Sequence, residues 1–168
     1  ARYFRPHPPA REMFMPGEMI PEILIFARYD LGRNSVTVSA PSSYPTGLVC
    51  CDRRDLALAL LALLFNGSEA MEGTGGELAF SLDKEESGWL FRVVDRGPGI
   101  PSDQMKHLFE PFHTTKEGGT GLGLAISKQI MERHGALLRL EPALGGGTIV
   151  RMIFPAYVQE HGATHGQG

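Results

Sequence analysis

The chain is poor in the residues that would staple or anchor it. Its 168 residues include two cysteines, and these are neighbours, Cys50 and Cys51. Adjacent cysteines rarely close a bond, and no second pair exists to complete a zinc site, so disulfide-framed and zinc-ribbon folds are excluded. Both read as buried thiols in a reducing compartment. No apolar run reaches the ~20 residues that span a bilayer. The longest, Leu56–Phe65, reads as a buried helix. Charge of one sign is also missing: 16 basic against 19 acidic residues leave a net −3. That balance gives no general attraction to nucleic acid, so an anionic ligand must be held by local geometry. A secretory leader pattern is absent as well.

What remains is the composition of one ordinary globular domain, 42% hydrophobic and 21% charged. Glycine is the exception. The chain has 21 glycines, nine of them at residues 97–123 and 145–147, and such clustering usually serves a backbone need.

Residues 1–17 carry four prolines without periodicity and read as a linker continuing from a longer chain. From Glu18 the apolar positions Met19, Ile20, Ile23, Leu24, Ala27 and Leu31 fall at helical spacing, with Gly32 as the stop. Ser35–Ala40 alternates like a strand, PSSYPTG is a loop, and Leu48–Cys51 is a short apolar step. Asp52 or Asp55 can cap a helix that runs to about Met71 and is apolar almost all round. Glu77–Leu82 and Gly88–Asp95 read as a hairpin around the charged loop DKEES. Pro101–Leu108 reads as one or two helical turns, and residues 110–120 as mobile. Gly121–His134 is an amphipathic helix ended by Gly135, and strands Ala136–Leu140 and Thr148–Phe154 follow. The tail, 157–168, has no core residues and is expected to be disordered. These elements predict an α+β, two-layer α/β sandwich over residues 18–156. Its mixed, mostly antiparallel sheet is covered on one face by helices, with 52–71 and 121–134 on the same side.

Several nucleotide motifs fail. There is no G-x-x-x-x-G-K-[ST], and Gly119, Gly121 and Gly123 neither match G-x-G-x-x-G nor follow a strand. No HRD or DFG accompanies them. Four elements remain in one order: Asn66 on the apolar helix, Asp95-Arg-Gly97-x-Gly99, Gly119-x-Gly121-x-Gly123 opening a helix, and Gly145–Thr148. Each has a plainer reading. Asn66 could be a satisfied core amide near a helix end, Asp95 an Asx-turn cap, and Lys116 a solvated loop lysine.

Taken together, the four elements resemble the GHKL ATP-binding superfamily, and most closely the catalytic domain of bacterial sensor histidine kinases. LLFNGSEAM looks like the N box, DRGPGI the G1 box, FEPFHTTK the F box, GTGLGLAIS the G2 box and GGGT the G3 box. The resemblance covers about residues 50–155, and TTK in the lid points to a nitrogen-regulator-like subgroup. It implies the Bergerat fold and a Mg-ATP site with a role for each matching residue. Asp95 accepts from the adenine amino group, and Gly97 and Gly99 let the backbone pass the base. Thr148 joins Asp95 through water. Gly119, Thr120, Gly121, Leu122 and Gly123 cradle phosphate at a helix N-terminus, with Lys116 as a point charge. Asn66 gives its side-chain oxygen to Mg²⁺. Phe109 and Phe112 are expected to pack the lid against the core.

Departures from the family pattern bear on the reaction. Many GHKL hydrolases place a water-activating glutamate one turn before the Mg²⁺ asparagine; Ala62 stands there and cannot act as a base. Gly67 and Ser68 replace the usual alanine-rich run, and Glu69 stands where many kinases have a lysine. None of His7, His107, His113, His134, His161 and His165 has the setting of a phosphoacceptor. The expected function is therefore γ-phosphoryl transfer to a histidine on a separate dimerisation domain, with ATP and Mg²⁺ as cofactors. The implied partners are that phosphoacceptor domain of the same protein and a response regulator receiver domain. No nucleic acid is implied; the fragment itself is expected to be a monomer and its parent a homodimer. The expected setting is cytoplasmic, with the parent anchored in the inner membrane. Two alternatives share the boxes: a serine kinase of the anti-sigma-factor type, and a degenerate nucleotide-binding regulatory module.

Overall fold

The computed structural model describes residues 8–99 and 123–156. The expectations for Pro101–Leu108, for residues 110–120 and for the tail lie outside these residues.

Two sheets and three helices make up the described fold. Strands β1 (Arg11–Phe14) and β3 (Val49–Asp52) pair antiparallel in a small ladder of their own. The main sheet has five strands in the order β2 (Val36–Ser39), β4 (Gly76–Glu85), β5 (Gly88–Val94), β7 (Thr148–Pro155), β6 (Leu137–Pro142). Only β2–β4 is parallel; the other three pairings are antiparallel. Helices α1 (Ile20–Arg33), α2 (Arg53–Ala70) and α3 (Gly123–Arg133) form the second layer. The α+β sandwich with helices on one face is the architecture expected.

Alternation decides which sheet face meets the helices. Along β4, Leu78, Phe80 and Leu82 are buried, and along β5, Trp89, Phe91 and Val93 are. In β7 the matching set is Val150, Met152 and Phe154. Residues one step out of phase form the outer face, as a period of two requires. Against the inner face, α2 buries Leu56, Ala59, Leu60, Leu63 and Leu64.

Capping fixes where α2 begins. Asp52 Oδ1 accepts from the backbone N–H groups of Arg54 at 3.0 Å and Asp55 at 3.2 Å, so Asp52 is the cap. Its Oδ2 accepts from Ala10 N–H at 2.9 Å, which ties the lead-in of β1 to the same helix end.

Several boundaries differ from expectation. Residues 11–14, placed within a linker, form β1, because Phe14 buries itself in the core and the ladder with β3 satisfies the backbone. Gly32 does not stop α1, which runs through Arg33 to a C-cap at Asn34; Ser35 then takes the positive φ (58°) that turns the chain. DKEES is not a loop: β4 continues through Glu85 and pairs with Gly88, leaving a tight turn. Helix α2 is not buried all round, since Leu58 is 49% exposed. Strand β6 runs Leu137–Pro142, one residue later than expected at its start and two at its end.

Candidate nucleotide-binding site

Asp95 follows directly on β5, and its backbone continues that strand's pairing: Asp95 N–H donates to Thr148 O at 3.0 Å. Its side chain turns inward and is buried, 3% exposed. One carboxylate oxygen, Oδ1, accepts from Gly97 N–H at 2.9 Å and from Thr148 N–H at 3.2 Å. The first of these bonds is an Asx turn, so the plainer reading of Asp95 is correct as local geometry. A carboxylate accepts along about four lone-pair directions, and these two bonds lie on Oδ1. Thr148 reaches Asp95 directly through its backbone, where a water-linked hydroxyl was expected.

Glycines close around this carboxylate for steric reasons. A Cβ on Gly97 would lie 2.6 Å from the backbone oxygen of Ala70, in the last turn of α2. Gly147 has φ +96°, and a Cβ there would lie 2.0 Å from the carbonyl oxygen of Asp95. Both contacts are with backbone, which cannot step aside. Gly99 has φ +82°, and a Cβ there would lie 3.6 Å from the carbonyl oxygen of Gly147. Gly147 was not singled out from the sequence, although it stands within the GGGT run.

About one turn before Ala70 on α2 lies Asn66, half-buried. Gly123 opens α3 against it: a Cβ on Gly123 would sit 3.3 Å from Ala62 O and 3.7 Å from Asn66 Cβ. Ser127, one turn on, fastens this crossing by donating to Gly123 O at 3.1 Å and Ala59 O at 3.4 Å. Asn66, Ala62 and Gly123 line a cavity of about 520 Å³ whose other wall is Arg33 and Asn34 of α1. The Gly97 and Gly123 contacts on α2 are eight residues apart, or roughly 12 Å along the axis at 1.5 Å per residue.

The departures in the N-box stretch have packing reasons. Gly67 is not a fraying helix end, because α2 continues to Ala70 and Gly67 is buried. A Cβ there would meet Leu78 Cδ2 at 2.6 Å, so the missing side chain lets α2 lie close on β4. Ser68 is buried and its Oγ accepts from Asn34 Nδ2 at 3.0 Å, which joins the end of α1 to α2.

Lys116, Gly119, Thr120, Gly121 and Leu122 lie outside the described residues, as do Phe109, Phe112, His107 and His113. Of the predicted site, the structure brings Asn66 and Gly123 together at one end, and Asp95, Gly97, Gly99 and Thr148 at the other. His134, read as a helix-end residue, follows α3 directly and precedes Gly135 at φ +65°. It packs on Phe154 and its Nε2 lies 3.2 Å from Asp55 Oδ2. Burial pushes its pKa below the ordinary 6.5, and Asp55 opposes that shift.

The donor set decides how a divalent cation could fit. Among the described residues no three His, Cys, Asp or Glu side chains gather to hold a metal. Asn66 offers a single neutral oxygen, which suits Mg²⁺ only as one ligand beside phosphate oxygens and water. A nucleotide-borne Mg²⁺ therefore fits this site, and a free-standing one does not.

A two-layer sandwich with a buried carboxylate at a strand end and a glycine-opened helix beyond it defines a nucleotide-binding class. Residues 51–158 match the family described as histidine kinase-, DNA gyrase B-, and HSP90-like ATPase, and the chain belongs to that family. It is 34% identical over 139 residues to sporulation kinase D of Bacillus subtilis, covering 83% of this chain and 27% of that protein. It is 37% identical over 112 residues to the nitrogen regulation protein NtrY of Azorhizobium caulinodans, covering 62% of this chain and 14% of NtrY. The chain thus spans about a quarter or less of these relatives. The solved catalytic domain of histidine kinase ThkA superposes with a TM-score of 0.75 at 24% identity, covering 86% of this chain and 95% of that one. No described helix is long and apolar enough to cross a membrane.

Proposed function

We propose that this chain is the ATP-binding catalytic domain of a sensor histidine kinase. In this reading it holds Mg-ATP and presents the γ-phosphate to a histidine on a separate dimerisation domain. The observation that carries the reading is the division of labour along α2. Gly97, whose N–H binds the buried Asp95 carboxylate, lies against Ala70, and Gly123 brings the opening of α3 against Ala62 and Asn66. Roughly 12 Å separates the two contacts, room for a base at one end and phosphates at the other.

Each residue then has a distinct task. Asp95 accepts a hydrogen bond from the adenine amino group; guanine would set a carbonyl against the carboxylate, which a buried site rejects strongly. Gly97 and Gly99 keep side chains off the base, and Thr148 holds Asp95 in place through its N–H. Gly119, Thr120, Gly121, Leu122 and Gly123 offer backbone N–H groups to phosphate, and Lys116 adds charge. Asn66 is the protein's ligand to Mg²⁺, which neutralises charge on the phosphates when bound. Ala62 carries no base, so water is not activated at that position. The γ-phosphoryl group instead leaves ATP, a bond forms between phosphorus and an acceptor histidine nitrogen, and ADP departs. Positioning and charge neutralisation carry the catalysis.

The partners follow from that chemistry: the phosphoacceptor domain of the same protein, which would make the parent a homodimer, and a response regulator receiver domain. The domain itself acts on the cytoplasmic side, with the parent anchored in the membrane. Titration calorimetry with Mg-ATP tests the binding half, and no heat at millimolar nucleotide would remove it. Incubation with ATP and a separately supplied phosphoacceptor hairpin tests the transfer half. Acid-labile phosphohistidine is expected; acid-stable phosphoserine would assign the chain to the anti-sigma-factor type instead.

A further inference from the structure

The outer face of the main sheet carries a row of three arginines. Strand register places Ser81 opposite Arg92, Arg92 opposite Arg151, and Arg151 opposite Arg139, across four adjacent strands. Neighbouring strands lie about 4.8 Å apart, and like charges set directly opposite destabilise a sheet. Among the described residues only Arg151 of the three has an ion pair, with Glu141 on β6. Folding alone gives no reason for such a row.

Two further features accompany it. On either side the row is flanked by apolar residues, Val94 and Ile149 on one side and Leu90, Ile153 and Leu137 on the other. At its β4 end, Arg92 and Ser81 line a shallow cavity of about 330 Å³, and Ser81 Oγ is buried there without a hydrogen-bond partner. A buried hydroxyl left unpaired costs stability unless something supplies the missing bond.

We propose that this outer face is a docking surface for an acidic protein segment, one presenting a series of carboxylates among apolar side chains. Arginine between apolar rows is the composition of an interaction hot spot, since the planar guanidinium pairs with carboxylate through two parallel bonds. Charge complementarity selects the occupant. Glu77, Asp83 and Glu141 stand on the rim of the same face, and the chain is net negative. A continuous anionic surface such as a bilayer would meet that acidic rim, whereas a narrow segment can lie on the arginine row between the acids. The surface lies on the side of the sheet away from the three helices, so it is separate from the nucleotide site.

The test uses the whole chain and fluorescence anisotropy with a labelled peptide in which glutamate alternates with leucine. Saturable binding is expected, weakened at least tenfold by Arg92→Thr and by Arg139→Ser, and not displaced by excess Mg-ATP. Arg139 is exposed on an edge strand, so its replacement leaves folding intact. Arg92→Thr relieves a like-charge pair, so its unfolding temperature should match or exceed that of the parent. Equal binding of a lysine–leucine peptide, or undiminished binding by both variants, would overturn the proposal. So would capture by phosphatidylserine vesicles in preference to the peptide, which would give the face to a membrane.

Discussion

Replacing Asp95 by asparagine separates the two jobs of that side chain. Two of its structural bonds fall on one oxygen: Oδ1 accepts from Gly97 N–H at 2.9 Å and Thr148 N–H at 3.2 Å. An asparagine can keep its carbonyl oxygen there and hold the turn, so stability should change by no more than about 1 kcal/mol. Its amide nitrogen then occupies the place of the second oxygen and turns an acceptor into a donor. Facing the adenine amino group, a donor meets a donor. Losing a bond to a charged acceptor and adding that mismatch amounts to about 2–4 kcal/mol, roughly a 30- to 1000-fold weaker ATP Kd. Asp95→Ala should behave differently. It orphans two N–H groups in a buried setting at about 1–3 kcal/mol each, and so lowers the unfolding temperature by roughly 5–15 °C. Calorimetry with Mg-ATP and thermal unfolding of both variants provide the assay. An Asp95→Asn protein that folds normally and binds ATP as tightly as the parent would refute the adenine role. An Asp95→Ala protein with unchanged unfolding temperature would refute the structural one.

The remaining predictions concern the frame around the site. Asp52→Ala removes the cap of α2 and the tie to Ala10, and should cost about 2–3 kcal/mol in urea unfolding. Asp52→Asn keeps an oxygen for the two cap bonds but turns a donor toward Ala10, so about half that loss is expected. Gly147→Ala drives a methyl toward the Asp95 carbonyl from a left-handed backbone and should weaken ATP binding and stability together. Equal stability of that variant would show that the close approach is not rigid. His134 is held neutral by burial, its pKa below 6.5. The unfolded chain therefore takes up the proton first, and stability is full above pH 6.5, falls as pH drops below it, and levels off past the folded-state pKa. Asp55→Asn removes the carboxylate that opposes the shift, so the imidazole NMR titration midpoint of His134 should move lower still; an upward move would sink this account.

Much of the fold was legible because alternation and helical spacing are strong signals where one face is buried. Strands β5 and β7 and the helix capped at Asp52 were recovered nearly to the residue. The failures have particular causes. Strand β1 was missed because four prolines surround a short segment whose register comes from β3, a partner about 40 residues away that no local pattern reveals. The end of α1 was misplaced because Gly32 is tolerated inside the last turn, while the positive φ falls on Ser35, whose carbonyl oxygen accepts from Gly76 N–H at 3.1 Å. Asn66, Asp95 and the glycine runs were legible as a set, because each was chemically odd where it stood. Gly147 was less so: the sequence marks a glycine triplet, but only the fold sets one of its members against the Asp95 carbonyl.

Gly67 and Ala62 are the two departures from the family pattern that lie on α2 around Asn66. Gly67 serves the contact of α2 with Leu78, and its neighbour Ser68 ties α2 to Asn34 of α1. Neither change touches the oxygen of Asn66. Ala62 lies under the opening of α3, where Gly123 approaches its backbone oxygen to within 3.3 Å of a notional Cβ. A glutamate there would bring a carboxylate into the cavity that Ala62 lines with Asn66 and Gly123. The alanine leaves that cavity open and leaves water without a base. Both departures are therefore consistent with a site built for transfer. Ala62→Glu should lower ATP affinity by setting a negative charge in the cavity beside Asn66 and Gly123, and should not create a hydrolase. Fast ATP hydrolysis by that variant, followed by phosphate release, would show that Ala62 alone separates the two reactions and that this account is wrong.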